Sequence, residues 1–286
     1  MSARFGPAGN SASFARAGFK ETVAAPRWLA DMGLNAYEYQ CGRGVRIGTE
    51  TARKIGERAR AHGIALSLHA PYFINLSSEE SERMEKNAGY VLASCRAAQD
   101  LGADRVVVHC GGMGKLTRTR AMENSIRGVR ELLERVEDAG YGSIRLCLET
   151  MGKVRQMGSA EEVMQLVALD ERLLPCIDFG HLNARTQGGM CTREQVAALF
   201  DLMENTIGLE RARQFHSHFS HIEYGKSGEI RHLTFADTIY GPDFTPVAQE
   251  AAARGYEPRF ICESAGTQAE DALTMKQIFE QTEKEG

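Results

Sequence analysis

The histidines and acids of this chain are spaced for metal chemistry. Seven of its eight histidines lie at or just after the ends of short apolar runs. His69 closes IALSLH, His109 closes DRVVVH, and His216, His218 and His221 fall in or just past RQFHSHF. His181 stands three residues after Asp178, which closes LPCID. His232 lies farther along the segment after RQFHSHF, with Glu229 close by, while Glu149 closes SIRLCLE and Glu263 closes RFICE. Taken singly, each reads as a hydrogen-bonded structural side chain, and His62, at a helix end, is expected to be one because a cation there suits the helix dipole. Together they are harder to place, since burying so many ionisable groups without partners costs roughly several kcal/mol apiece. Divalent cations would offset the carboxylates while leaving the imidazoles neutral. Mixed imidazole and carboxylate ligands without a thiolate pair suit Zn2+, with Mn2+ or Fe2+ as substitutes. Eight or nine candidates exceed the needs of one ion, so two or three ions per chain are expected. Clustered cations bridged by a carboxylate are a common device for phosphate-ester cleavage.

The elements that must carry these residues follow a strand–helix rhythm. Strands are predicted at 3–6, 35–40, 64–69, 104–109, 143–149, 174–178, 213–219 and 259–263. Helices are predicted near 24–33, 50–62, 80–101, 119–139, 159–169, 192–207, 245–254 and 268–283. Met84, Ala88, Val91, Leu92, Cys95 and Ala98 recur at spacings of three and four, as one face of a helix requires. Gly63, Gly102 and Gly140 read as left-handed helix stops. Eight strand–helix units without a linker predict an α/β fold, a (β/α)8 TIM barrel spanning 1–286 as a single domain. A doubly wound sheet is the alternative, but no G-x-G-x-x-G follows a strand. Alternation along each strand sends Leu66, Leu68, Val106, Val108, Leu146, Leu148, Ile177, Phe215, Phe219, Phe260 and Cys262 toward the helices. Ser67, His69, His109, Glu149, Asp178, His216, His218 and Glu263 then point inward, near the face where barrels place their chemistry. The same parity excludes His221 and leaves His216 and His218 both open as the ligand of the seventh strand.

With 43% hydrophobic and 25% charged residues and a net charge of -4, the 286-residue chain excludes a disordered protein and a generally basic nucleic-acid coat. No apolar run is long enough to span a membrane, and the first residues lack the pattern of a secretory signal, so a cytoplasmic protein is expected. Seven cysteines without a CxxC pair predict buried free thiols. A monomer is expected.

The motifs together resemble endonuclease IV, a family of metal-dependent abasic-site endonucleases of DNA repair within the xylose-isomerase-like barrels. They run from FGPAGNSASF through HAPYFINLSS, VVVHCGG, LCLET and CIDFGHLNA, with its D-x-x-H, to ICESA. The resemblance implies a first zinc on His69, His109 and Glu149. A second would sit on Glu149, Asp178, His218 and Glu263, and a third on His181, His232 and a carboxylate such as Glu229. It further implies metal-hydroxide attack on the phosphate 5′ to an abasic site in DNA, with Glu149 and Glu263 catalytic as well as ligating. Tyr72 and Phe73 would enter the DNA as apolar wedges, and Arg231 would touch the substrate. One departure is local: the family carries a D-R-H motif after the seventh strand, with one residue between ligands, whereas Glu229-Ile230-Arg231-His232 has two. Lys115–Arg120 and Lys153–Gln156, with Arg185, Lys226 and Arg231, form only a moderate basic stripe. The alternative function is a sugar isomerase or epimerase holding one metal on Glu149, Asp178, His218 and Glu263. Such an enzyme has no necessary use for His69, His109, His181 and His232.

Overall fold

A computed structural model describes residues 3–285. Ten strands occur in chain order: β1 Arg4–Pro7, β2 Ala36–Gln40, β3 Ala65–His69, β4 Arg105–His109, β5 Arg145–Glu149, β6 Leu173–Asp178, β7 His216–Phe219, β8 Ile222–Gly225, β9 Gly228–His232 and β10 Arg259–Cys262. The helices are α1 Ala12–Arg16, α2 Ala25–Asp31, α3 Thr49–Ala61, α4 Ser81–Leu101, α5 Arg118–Asp138, α6 Ala160–Val167, α7 Phe179–Arg185, α8 Arg193–Ile207, α9 Leu209–Ala212, α10 Thr245–Ala253 and α11 Gln268–Glu285. Eight strands form one parallel sheet in the order β1-β10-β7-β6-β5-β4-β3-β2. The seam between β1 and β2 is bridged by Asn35 N–H to Phe5 O at 3.0 Å and Gly9 N–H to Glu38 O at 2.9 Å. The result is the expected α/β barrel, with β8 and β9 forming a separate antiparallel hairpin.

Period-2 alternation divides the apolar residues as parity requires. Leu66, Leu68, Val106, Val108, Leu146, Leu148, Ile177, Phe215, Phe219 and Phe260 join the helix faces in the large outer core. Each such side chain contributes about 1.5–3 kcal/mol by leaving water. Val107, Cys147, Leu174 and Cys176 form one smaller cluster on the inward-facing positions, and Ala8, Ala36 and Ile261 form another. The N-terminal end of the barrel is closed by Arg259, which donates to Leu66 O at 2.9 Å and to Asp104 at 2.8 Å. Side-chain caps start several helices, including reciprocal Ser159–Glu162 and Thr192–Gln195 bonds at α6 and α8. Gly102 ends α4 at φ +70° and Gly63 follows α3 at +69°, as the left-handed stops require.

Three short helices and the hairpin were not legible as elements. α1, α7 and α9 have four to seven residues, too few to show a period. The hairpin turns through polar Gly225-Lys226-Ser227-Gly228, so Glu229 and His232 lie on β9 rather than in a loop. One thiol departs from expectation: Cys191 is exposed, in the irregular segment before α8, whereas the other six are buried. Among the described residues, no helix is long and apolar enough to cross a membrane.

Candidate metal centre

At the C-terminal mouth of the barrel the strands deliver one connected group of imidazoles and carboxylates. Glu149, at the end of β5, stands at its centre and is fully buried. Its Oε2 lies 3.2 Å from His69 Nε2 and 3.0 Å from His109 Nε2. Both rings are turned by main-chain carbonyls, His69 Nδ1–H donating to Ala70 O at 2.6 Å and His109 Nδ1–H to Tyr72 O at 3.1 Å. Each Nε2 atom is thereby aimed at the same carboxylate oxygen, the ring orientation in which metal-ligating histidines are usually held.

The other oxygen of Glu149 faces a second group. Glu149 Oε1 lies 3.1 Å from His218 Nδ1, and Glu263 Oε1 lies 3.6 Å from the same nitrogen. Asp178 completes this set, since one ligand atom from each of Glu149, Asp178, His218 and Glu263 lies within 4.8 Å of all the others. Asp178 Oδ1 accepts the His181 backbone N–H at 2.8 Å, while Oδ2 is buried without a hydrogen bond. His181 Nδ1 is 3.1 Å from Oδ2, but the hydrogen bond of that nitrogen goes to Thr150 O at 3.0 Å. An orphaned, buried carboxylate oxygen among three further donors fits a cation better than any group the chain itself supplies.

A third group joins His181, Glu229 and His232, again with ligand atoms within 4.8 Å of one another. His181 Nε2 is 3.5 Å from Glu229 Oε2, and His232 Nδ1 is hydrogen-bonded to Ser220 Oγ at 2.8 Å. The hairpin is seated by its backbone: Glu229 N–H donates to Gly152 O at 3.1 Å and Val154 N–H to Ser227 O at 3.1 Å. Gly228 makes that approach possible, because a Cβ there would stand 2.1 Å from Gly152 O. A regular strand would put residues three apart on opposite faces. Here Ile222 pairs with His232, Glu223 with Arg231 and Tyr224 with Glu229, so Ile230 has no opposite number. This bulge absorbs the extra residue and returns Glu229 and His232 to the same side.

Electrostatics tie the three groups together. Burial alone would raise the Glu149 carboxyl, but the imidazoles of His109 and His218 outweigh it and hold the group well below its ordinary value. Burial disfavours the His69 cation, yet its bond to Glu149 lifts it to about 9. His181 rises to about 10 against burial, through Asp178 and Glu149. Burial raises Asp178 despite His181, with Glu263 and Glu149 adding to the effect. Protons on His69 and His181 occupy the electrostatic role that divalent cations would take.

Of the seven histidines expected on the rim, five converge: His69, His109, His181, His218 and His232. His221 instead stacks on Phe235, with ring centroids 5.0 Å apart. His216 lies one layer below the mouth, where its Nε2–H donates to Glu38 Oε2 at 2.9 Å. Burial pulls His216 down to about 4, only partly offset by Glu38. Glu38 itself is a fully buried inward carboxylate that the sequence reading missed. Its signal was available, because Tyr37 and Tyr39 alternate with it on β2. At the rim, Tyr72 and Phe73 are 58% and 44% exposed, and Phe73 packs edge-on against Tyr90 at 4.9 Å. Arg231 pairs with Glu223 at 2.6 Å on the exposed hairpin. Arg185 does not join a basic stripe: it donates to Lys153 O at 2.8 Å and Gln156 O at 3.2 Å. Arg118 likewise pairs with Glu162 and donates to Val154 O, so both arginines brace the segment after β5.

Known proteins share the barrel. The family model described as xylose isomerase-like TIM barrel matches residues 26–280. An uncharacterized protein of Methanocaldococcus jannaschii is 30% identical over 249 residues, 87% of this chain and 88% of that one. A probable endonuclease 4 of Thermotoga maritima is 26% identical over 251 residues, covering 83% of each chain. Among solved structures, a D-tagatose 3-epimerase-like protein superposes with a TM-score of 0.70 at 21% identity, over 98% of this chain and 96% of the other. Endonuclease IV from Thermus thermophilus gives 0.67 at 22%, over 99% and 100%. The chain belongs to the xylose isomerase-like TIM barrel family.

Proposed function

We propose that this protein is a multi-metal phosphodiesterase of the endonuclease IV type, cleaving DNA on the 5′ side of abasic sites. The observation that carries this reading is the third ligand group. The hairpin brings Glu229 and His232 to His181, beside two groups that share Glu149. A one-metal enzyme has no use for that construction. His69, His109 and Glu149 would hold one cation, Glu149, Asp178, His218 and Glu263 a second, and His181, Glu229 and His232 a third. Bound Zn2+, or Mn2+ or Fe2+, would polarise a phosphate oxygen and acidify the attacking water.

The chain's own contributions are positional. Ala70 O and Tyr72 O keep the Nδ1 protons of His69 and His109, so both Nε2 atoms stay available. Glu149 divides its two oxygens between neighbouring groups, and Glu263 lies between His218 and His232, 4.0 Å from the latter. Tyr72, exposed beside the mouth, suits insertion into a duplex kinked around a displaced sugar. Phe73, packed on Tyr90, would support it. Arg231 would exchange its exposed bond to Glu223 for a phosphate. Similarity to probable endonuclease 4 proteins supports the DNA substrate.

The second reading is a single-metal sugar isomerase or epimerase, favoured by Glu149, Asp178, His218 and Glu263 forming a complete four-ligand group by themselves. Elemental analysis, paired with assays of abasic-duplex cleavage and ketose epimerisation, separates the two. About three cations per chain with cleavage supports the nuclease. One cation per chain with epimerisation and no cleavage refutes it.

A further inference from the structure

Beneath the mouth lies a polar layer that ligand assignments do not use. Glu38, on β2, is fully buried, and both its oxygens are saturated. Oε1 accepts from Gln40 Nε2 at 3.0 Å and His218 Nε2 at 2.9 Å. Oε2 accepts from Ser67 Oγ at 2.9 Å and His216 Nε2 at 2.9 Å. An ionised carboxylate offers about four acceptor sites, and all four are filled. Three strands therefore fix this carboxylate from different sides, and it fixes His218 in turn. With its Nε2–H held from below, the ring presents Nδ1 upward, 3.1 Å from Glu149 and 3.6 Å from Glu263.

We propose that Glu38 is a positioning residue that holds His218 in its Nε2–H form, so that Nδ1 is the atom offered to a cation at Glu149, Asp178 and Glu263. The inference rests on the metal reading of the site but not on whether the substrate is DNA or a sugar. His216 makes the device adaptable. Its Nδ1 is buried without a hydrogen-bond partner, so this ring can move its proton from Nε2 to Nδ1 without breaking another bond. His218 has no such freedom, because both of its nitrogens face carboxylates.

The asymmetry gives an ordering of variants. In Glu38→Gln the amide oxygen still accepts from His218, while the amide N–H group faces His216, which switches tautomer. In Glu38→Ala nothing holds the ring. Cobalt titration of the full-length protein, followed by absorption and elemental analysis, should show one equivalent bound about 10- to 100-fold more weakly in Glu38→Ala, the size usual for loss of such a partner. The equivalent at His69 and His109 should be unchanged, and Glu38→Gln should recover most of the lost affinity. Nitrogen-15 NMR of the wild type loaded with Zn2+ should show the His218 proton on Nε2. Equal cobalt affinity in Glu38→Ala, or a His218 proton on Nδ1, overturns the inference. So does Glu38→Gln binding as weakly as Glu38→Ala, since the carboxylate would then act by charge alone. A wild type that binds no divalent cation overturns both this inference and the metal reading. The NMR measurement decides the matter even if Glu38→Ala does not fold.

Discussion

Asp178 caps the helix that carries His181. The side chain accepts the His181 backbone N–H at 2.8 Å, making Asp178 the N-cap of α7 and His181 its third residue. The D-x-x-H spacing is therefore a capping geometry, since an N-cap side chain bonds the second or third backbone N–H of its helix. One oxygen builds the helix that delivers an imidazole, and the other is left facing the candidate group of Glu149, His218 and Glu263.

Asp178→Asn separates these two jobs. Asparagine caps as well as aspartate, and burial already disfavours the Asp178 charge. With a chelator present, the Tm of Asp178→Asn should stay at or above that of the wild type. Metal affinity at the Glu149, His218 and Glu263 group should fall. Asp178→Ala should in addition lose about 1 kcal/mol of stability. Calorimetry with and without Zn2+ measures both effects, and unchanged stabilisation by Zn2+ in Asp178→Asn would count against Asp178 as a ligand.

The metal-free protein should be pH-sensitive in a defined direction. His69 and His181 rise to about 9 and about 10 in the folded state, from 6.5 in the unfolded chain. A raised folded value means that the stabilisation is complete below pH 6.5 and disappears as pH climbs through 9 to 10. Thermal melts in chelator should accordingly fall across that interval. Saturating Zn2+ should flatten the fall, because cations replace the protons, and loading should release protons at neutral pH. A Tm in chelator that is level across this range would remove the imidazolium account.

Gly228 tests whether the hairpin matters as a unit. A Cβ there meets Gly152 O at 2.1 Å, at a φ of +91° that other residues resist. Gly228→Ala should lift the hairpin, costing about 1–3 kcal/mol and, on the three-metal reading, one equivalent of cation. Cleavage should drop on the order of 100-fold, as a displacement near 1 Å can produce. Retention of three equivalents by a folded variant would show that the third group does not depend on this contact.

Tyr72→Ala addresses substrate engagement alone. The side chain is exposed, so stability should change by less than about 0.5 kcal/mol and metal content not at all. The KM for an abasic duplex should rise. An unaltered KM would leave Tyr72 as a rim aromatic without a part in binding.

The barrel was readable because its two periodicities are unambiguous. Leu146 and Leu148 facing the helices leave Glu149 no direction but inward, and Met84 through Ala98 can form only one helical face. What escaped the reading depended on contacts rather than pattern. Whether His216 or His218 reaches the mouth is a question of depth along one strand, and parity treats both alike. Glu38 was passed over because β2 ends in Gln40, so its acid lies within the strand instead of at its end. Arg185 looked like part of a basic stripe because nothing in its neighbours along the chain reveals the carbonyls of Lys153 and Gln156.

The bulge at Ile230 has a consequence for how relatives are recognised. In this chain the last acid and imidazole of the group share one face of a ribbon, and a residue pushed out toward solvent lengthens the gap between them without moving either from that face. Ile230 is that residue here, 57% exposed and unopposed. Patterns written with a rigid gap at this point would discard chains whose geometry is intact, and deleting Ile230 should shorten the gap while leaving the ligands in place.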